Sequence, residues 1–251
     1  MSSDAPDTLT RFLLPAAGVR GVAVRLDATW DAVAGRADYP PAARELLGEA
    51  AAAAVLFTGH TKVDGRLSIQ IRGERGLRTL FAECTAAGTV RGIVQLTEGQ
   101  DAPRDLRDLG RDALLAITIE NPGLDPREPQ RYQSLVGLDA SRLAEAFEDY
   151  FRQSEQLPTR LLLAADGGRA GGLMLQKLPG DEGDDDGWNR VGALFETLAE
   201  GELLATPVPV LLHRLFHEES PQVLTERPVC FGCSCSRERV ASMLQSLGQE
   251  E

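Results

Sequence analysis

Three of the four cysteines in this 251-residue chain fall within six residues, in the segment Cys230-Phe-Gly-Cys233-Ser-Cys235. Two thiols separated by one residue can bind a single metal ion from a turn, or they can close a strained and easily reduced disulfide. The fourth cysteine, Cys84, lies in the apolar run 80–84 and is expected to be an inert core residue. The cluster therefore predicts thiol chemistry near the end of the chain.

The residues after the cluster favour the thiolate form of Cys235. Ser236 is a good helix N-cap, and apolar residues then recur at helical spacing, which predicts a short amphipathic helix (Val240, Met243, Leu244 and Leu247). The positive end of that helix, together with Arg237 and Arg239, should lower the pKa of a nearby thiol. Thiolate is both the metal ligand and the nucleophile, so a reactive or metal-bound cluster is expected.

Two other patterns offer alternative chemistry. His213 and His217 are spaced to share a helix face and can supply two zinc ligands beside Cys233 and Cys235, although surface histidines on an amphipathic helix are common. The Cys230-x-x-Cys233 spacing occurs in disulfide reductases, so a thiol-dependent oxidoreductase or a metal-binding module is one hypothesis for the cluster. Here, however, the pair follows helices and prolines and does not follow a strand.

Composition excludes several functions. A net charge of −12 argues against nucleic acid as a partner, because that affinity comes largely from lysine and arginine. The acidic first residues lack the features of a signal peptide, and the apolar run 50–57 is too short to span a bilayer, so we expect a cytoplasmic protein without membrane contact. Neither a phosphate-binding loop nor a Gly-x-Ser-x-Gly motif is present, and we expect neither ATP use nor enzymatic activity.

Hydrophobic periodicity predicts an α+β fold rich in antiparallel sheet, with packed helices. After a polar leader to residue 18, Asp27 is expected to cap a short helix, Pro40 and Pro41 to open a long alanine-rich helix, and Asp139 to cap a third. Strands are predicted at 19–26, 67–71, 77–83, 90–96, 114–119, 132–138, 159–165 and 172–178. The acidic run 180–187 is interpreted as a solvated linker, and residues 188–224 as short helices interrupted by prolines.

These patterns divide the chain into three parts. Residues 1–179 form the predicted α/β core domain, and residues 180–229 form an acidic loop followed by a helical linker domain. Residues 230–251 carry the cysteine cluster.

The segment Cys233-Ser-Cys235-Ser-Arg-Glu-Arg239 closely resembles the Cys-x-Cys segment of the heat shock protein 33 family, the redox-regulated holdase chaperones also called 33 kDa chaperonins. Other segments resemble the family in the family's order, and together they cover essentially the whole chain: 131–138, 143–151, 154–160, 170–176 and 214–219. Several motifs in the right order are more specific than Cys-x-Cys alone.

The resemblance implies a core domain, a metastable helical linker and a C-terminal zinc-binding redox switch. It implies an ATP-independent holdase that is inactive when reduced and zinc-bound, with Cys233 and Cys235 as zinc ligands. Oxidation would join Cys233 to Cys235 as a disulfide, release zinc, unfold the linker and favour a homodimer that binds unfolded client proteins. Candidates for the client surface, which alternatively only pack the linker on the core, are Leu203, Leu204, Leu211, Leu212, Leu215 and Phe216.

The end of the chain departs from the family pattern. In the family a Cys-x-x-Cys pair lies about thirty residues beyond Cys-x-Cys and completes a four-thiolate zinc site. This sequence stops sixteen residues after Cys235 and has no such pair, so we expect it to be a fragment carrying the first half of the redox switch. Without the distal thiols we expect a less restrained linker, constitutive client holding and readier dimerisation.

Overall fold

A computed structural model of the chain describes residues 7–123, 129–180 and 183–233. These ranges contain eleven strands: β1 (Thr8–Leu14), β2 (Val19–Leu26), β3 (Arg66–Arg72), β4 (Leu77–Thr85), β5 (Thr89–Leu96), β6 (Leu114–Asn121), β7 (Gln130–Gly137), β8 (Thr159–Ala165), β9 (Ala170–Lys177), β10 (Gln222–Pro228) and β11 (Cys230–Phe231). The α-helices are α1 (Ala28–Ala34), α2 (Pro41–His60), α3 (Leu143–Ser154), α4 (Gly187–Glu196), α5 (Glu200–Ala205) and α6 (Val208–Phe216), and 3-10 helices occupy Leu106–Leu109 and His217–Glu219. None of the described helices is both long and apolar enough to cross a membrane.

The first sheet has five antiparallel strands in the order β10-β1-β2-β9-β8. Its central strands β2 and β9 are buried along almost their whole length, because helices cover both faces of the sheet. In β2 the side chains of Val22, Val24 and Leu26 join the core on the α2 side. Those of Val19 and Ala23 point to the opposite face and join a second apolar cluster.

The second sheet has six strands in the order β11-β5-β4-β3-β6-β7, and β11 is parallel to β5 while the other pairs are antiparallel. Its inner face packs on α2, as the alternating burial of β3 shows. Leu67, Ile69 and Ile71 point into the core, whereas Ser68 and Gln70 lie on the outer face. This antiparallel sheet therefore has one buried and one solvated face.

The long helix α2 joins the two sheets. Pro41 occupies its first turn, where a missing amide hydrogen costs nothing, and the helix contacts strands of both sheets. Residues 50–54 are five consecutive alanines, each buried, whose small side chains let strands approach the helix on several sides. The predicted alanine-rich helix opened by two prolines is confirmed.

Most of the predicted elements are present, and the α+β class with antiparallel-rich sheets is confirmed. Two predictions were wrong. Residues 8–14 are strand β1 and are not a polar leader, because their alternating apolar side chains pack against both helical layers. Residues 222–224 begin strand β10 and are not helical, because Pro221 ends the helical segment and β1 supplies backbone partners. The division of the chain at 179 and 229 stays a prediction.

Helix starts also differ from the sequence predictions. The amide groups at the start of α1 donate to the carboxylate of Asp7, with 2.6 Å from Asp27 N to Oδ1 and 2.6 Å from Thr29 N to Oδ2. Asp27 precedes the helix as predicted, but its own carboxylate pairs with Arg25 at 2.8 Å. Asp139 does not cap α3, which begins four residues later at Leu143.

Candidate functional site

The structure places the start of the cysteine cluster on the edge of the six-stranded sheet. Cys230 lies in the two-residue strand β11, Cys233 follows two residues after it, and both residues are exposed. The Cys230 amide donates to the Gly88 carbonyl at 3.0 Å, and the Gly232 amide donates to Val90 at 3.0 Å. Cys235 and the helix predicted after it lie outside the described residues, so the spacing between Cys233 and Cys235 is not part of the described geometry.

β11 is held by contacts with residues from several distant parts of the chain. Gly88 has a positive φ of 82°, and a Cβ there would lie only 2.7 Å from the Pro228 carbonyl oxygen, so the turn requires glycine. The Arg36 guanidinium lies 4.5 Å from the centre of the Phe231 ring. The amide of the buried Val229 donates to the Asp7 carbonyl at 2.9 Å. Through these contacts, β11 attaches the cysteine segment to the six-stranded sheet.

Metal ligands do not converge in the part of the chain that the structure describes. No group of three histidine, cysteine or acidic side chains there is arranged to hold an ion. His213 of α6 and His217, the first residue of the 3-10 helix that follows, are both exposed and lie side by side with ring centres 5.5 Å apart. The described thiols are suitable zinc donors by type, but with Cys235 outside the described residues they do not complete a site by themselves.

The cysteines differ in their surroundings. Cys84 is buried in β4, as predicted, and this burial raises the pKa of its thiol to about 11, against a weaker opposing effect of its hydrogen-bonding neighbour Thr58. A thiol with such a pKa stays protonated and unreactive at neutral pH. Cys230 lies in strand β11, which comes after β10, so the prediction that the pair does not follow a strand was wrong. No described helix begins at Cys230, so the helix-head setting of a disulfide reductase is not observed.

Three short helices, α4, α5 and α6, cover the second face of the five-stranded sheet. We call these helices the linker layer. All six apolar side chains predicted as client-surface candidates are buried here: Leu203, Leu204, Leu211, Leu212, Leu215 and Phe216. Their partners on the sheet are also apolar: Phe12, Leu14, Val19, Ala23, Leu173 and Leu175. In this conformation the candidates pack the linker layer against the core.

Phe216 anchors the C-terminal end of the linker layer. Its fully buried ring stacks on Phe12 of β1, with 6.4 Å between the ring centres and 25° between the ring planes. Phe12 in turn lies over Gly21 of β2, where any Cβ would overlap the ring. The fit of α6 on the sheet therefore depends on an aromatic pair seated over a glycine.

Ion pairs strengthen the ends of the linker layer. Arg190 of α4 binds Glu219 at 2.5 Å and Asp184 at 2.8 Å, and the Glu219 side chain is only 3% exposed. The hydrogen bonds to Glu219 and then to Asp184 raise the pKa of Arg190 above its usual value. Arg142, just before α3, pairs with Glu200 of α5 and so joins the core to the linker layer. The carboxylate of Glu219 depends on Arg190 for compensation, because a buried charge without a partner is costly.

Several residues that hold the linker layer or α1 in place were not predicted from the sequence. The alternation of residues 8–14 was a usable signal for Phe12 and Leu14, but the polar residues before it obscured the strand. The Arg190–Glu219 pair had no local signal, because its partners are twenty-nine residues apart in the chain. Asp7 also gave no signal, since its carboxylate acts on a helix that starts more than twenty residues later.

Comparison with known proteins gives consistent results. The family model described as Hsp33 protein matches residues 7–251. The 33 kDa chaperonin of Ectopseudomonas mendocina is 45% identical, with 98% of this chain and 83% of that protein covered. The 33 kDa chaperonin of Hahella chejuensis is 42% identical, with 98% and 85% covered. A crystal structure of 33 kDa chaperonin from Thermotoga maritima, 22% identical, superposes with a TM-score of 0.74 over 96% of this chain and 85% of that one.

Proposed function

Because this chain belongs to the Hsp33 family, a family of chaperones, we propose that it is an ATP-independent holdase that binds unfolding proteins and prevents their aggregation. The proposal is for binding without catalytic turnover. The observation that carries it is the apolar face of the five-stranded sheet, which three short helices cover in the described part of the chain. A surface of this kind can bind unfolded proteins once it is uncovered.

The client surface in this proposal has two halves. One is the sheet face with Phe12, Leu14 and Leu175, and the other is the apolar side of the linker layer itself. Each large apolar side chain contributes about 1.5–3 kcal/mol when it is fully buried, so clients with exposed apolar groups gain from contact with either half. While the linker layer is docked, both halves are withdrawn from clients.

Oxidation at the cysteine cluster is the proposed control. A bond would form between the Sγ atoms of Cys233 and Cys235, and a peroxide oxidant would accept two electrons from them and be reduced to two water molecules. The two protons this needs would come from the thiols or, where the sulfurs are thiolates, from solvent. The chain from this cluster leads back through β11 and β10 to α6, so strain at the cluster acts on the strands that follow the linker layer. β10 is exposed along its whole length and pairs only with β1 among the described strands.

Zinc is a further part of the proposal. Cys233 and Cys235 would be two of its thiolate ligands in the reduced protein. When bound, the metal would supply folding free energy to the cysteine segment, and oxidation of its ligands would remove that contribution. We also propose that the active form is a homodimer, as the family resemblance implies, which sedimentation of the reduced and oxidised chain would test.

The test is the aggregation of a thermally unfolding client enzyme, followed by light scattering without ATP. The chain is assayed reduced and after peroxide treatment, alongside C233S/C235S and the control C84S, whose substitution lies in the core. We expect suppression of scattering by the oxidised wild type and by C84S, and no response to peroxide in C233S/C235S. Client aggregation that is unchanged by the wild type in both redox states would refute the holdase function. An equal peroxide response in C233S/C235S would refute only the redox control.

A further inference from the structure

The two sheets have four outer strands, and three of them have features that discourage pairing with another chain. β8 is covered by α3 and α5, and β11 is only two residues long. β10 ends at Pro228, and its pairing with the neighbouring strand β1 is interrupted by a shift in register. Short strands, prolines, irregular registers and covering helices are the usual protections of a sheet edge.

The fourth outer strand, β7, is neither short nor interrupted by an irregular register, and its one charged residue is Arg131. It is eight residues long, Gln130–Gly137, and contains no proline and no acidic residue. Tyr132 is 65% exposed and Leu135 is 64% exposed, and Leu114 on the neighbouring strand β6 is also exposed. A long apolar edge with unpaired backbone groups is a template for an added strand, so its presence requires an explanation.

A groove runs beside this edge. It has a volume of about 160 Å³ and lies between β7 and helix α3, which provides its second wall. The Tyr150 hydroxyl lies 3.1 Å from the Ser134 hydroxyl, and this hydrogen bond fixes the helix beside the strand. Leu135, Val136 and Gly137 line the strand side of the groove, and the exposed surface of the groove is mostly polar. The groove is therefore a polar cleft beside the edge of β7.

The charge of the groove favours a basic occupant. Asp139 and Asp149 line it and no lysine or arginine does, although Arg152 pairs with Asp149 and Arg131 lies on β7 itself. The chain as a whole has a net charge of −12, which adds a long-range attraction for basic segments. An acidic extended segment would be repelled by both.

We propose that the edge of β7 binds an extended segment of an unfolded protein as an added strand, with apolar residues on the strand and basic residues toward α3. This inference rests on the proposed holdase function and assigns a second client contact outside the surface beneath the linker layer. Backbone hydrogen bonds would supply affinity without sequence specificity, while Leu135, on the face of β7 away from α3, would contact the apolar side chains of the added strand. The edge is open while the linker layer is docked, so the reduced protein can bind an extended segment there, whereas holding a client also requires the surface beneath the linker layer.

Peptide binding to the full wild-type chain tests the strand addition directly. The probe is a short fluorescent peptide in which valine and lysine alternate, measured by anisotropy under reducing conditions. N-methylation of its backbone amides should weaken binding by about tenfold or more, because the hydrogen bonds to the edge are lost. A matched peptide of valine and glutamate should bind more weakly still at low salt. Equal affinity of the methylated and unmodified peptides would overturn the proposal, as would the absence of binding by the unmodified peptide.

A pair of matched variants locates the contact. Leu135→Gln removes an exposed apolar group from β7. The control Ile93→Gln removes a comparably exposed group from β5, where Ile93 ends the row of paired residues that crosses the outer face of the six-stranded sheet from Leu135. We expect Leu135→Gln to lower peptide affinity several-fold and to weaken client holding, with Ile93→Gln unchanged. Equal effects of the two substitutions would overturn the assignment to β7. If the wild type binds the peptide but never suppresses client aggregation, the proposed holdase function fails while strand addition at this edge stands.

Discussion

Replacement of Phe216 by alanine tests whether α6 holds the linker layer on the five-stranded sheet. Phe216 is fully buried and stacks on Phe12, and a buried phenylalanine replaced by alanine typically costs about 3–5 kcal/mol. Because the Phe216 ring packs between α6 and the sheet, most of this cost falls on docking of the linker layer. A loss of about 3 kcal/mol shifts the docking equilibrium toward release by roughly two orders of magnitude.

Two measurements report release of the linker layer from the sheet. Hydrogen exchange of the reduced Phe216→Ala variant should accelerate in residues 187–219, while amides of α2 stay protected. Holding of a thermally unfolding client should increase in the reduced state, because the apolar face beneath the linker layer becomes accessible. Peroxide should then add little further activity.

The control is Phe147→Ala. Phe147 is also fully buried, but it packs in the main core against Phe57, with 4.7 Å between ring centres. It should lower global stability by a similar amount without selective exchange in residues 187–219 and without holding in the reduced state. If both variants release the linker layer equally, or if neither changes client holding, the reasoning that docking of α6 masks the client surface is refuted.

Further predictions concern individual side chains. Burial raises the pKa of Glu49 from 4.5 to about 7, so the folded state binds this proton more tightly than the unfolded state. The free energy of unfolding should therefore fall by up to about 3 kcal/mol as the pH rises from 4.5 to 7. Glu49→Gln should reduce this pH dependence of the free energy of unfolding, as measured by urea unfolding curves. A thiol reagent at pH 8 should modify Cys230 quickly and Cys84 only on unfolding, which mass spectrometry of quenched samples checks; rapid labelling of Cys84 would contradict its buried setting. Arg190→Ala should destabilise docking of the linker layer more than Arg214→Ala, because it leaves a buried carboxylate unpaired; proteolysis within residues 187–219 at equal rates in the two variants would contradict this.

Local patterns predicted much of the fold. The alternation in residues 67–71 predicted β3, because one face of that strand packs on α2 and the other meets solvent. The prolines at 40 and 41 and the alanines after them predicted α2, since both signals lie within the helix itself. By contrast, β10 has exposed residues throughout, and its backbone partner β1 lies about two hundred residues away, so no local period marked it as a strand.

The arrangement around the candidate site could not be predicted from the sequence. The spacing of Cys233 and Cys235 predicts thiol chemistry, and this stays a prediction. The docking of Phe216 over Phe12 depends on a space left by Gly21, which is visible only when the strands are paired. The apolar residues of 203–216 were predicted both as a client surface and as packing against the core, and the structure shows the packed state.

The central claim is that release of the linker layer uncovers the client surface. The most direct test is hydrogen exchange with mass spectrometry of the chain, reduced and peroxide-treated, on samples whose client holding is measured in parallel. The account predicts that residues 187–219 and β1 exchange faster in whichever state holds clients, while α2 stays protected in both. Full protection of residues 187–219 in a sample that actively holds clients would contradict it.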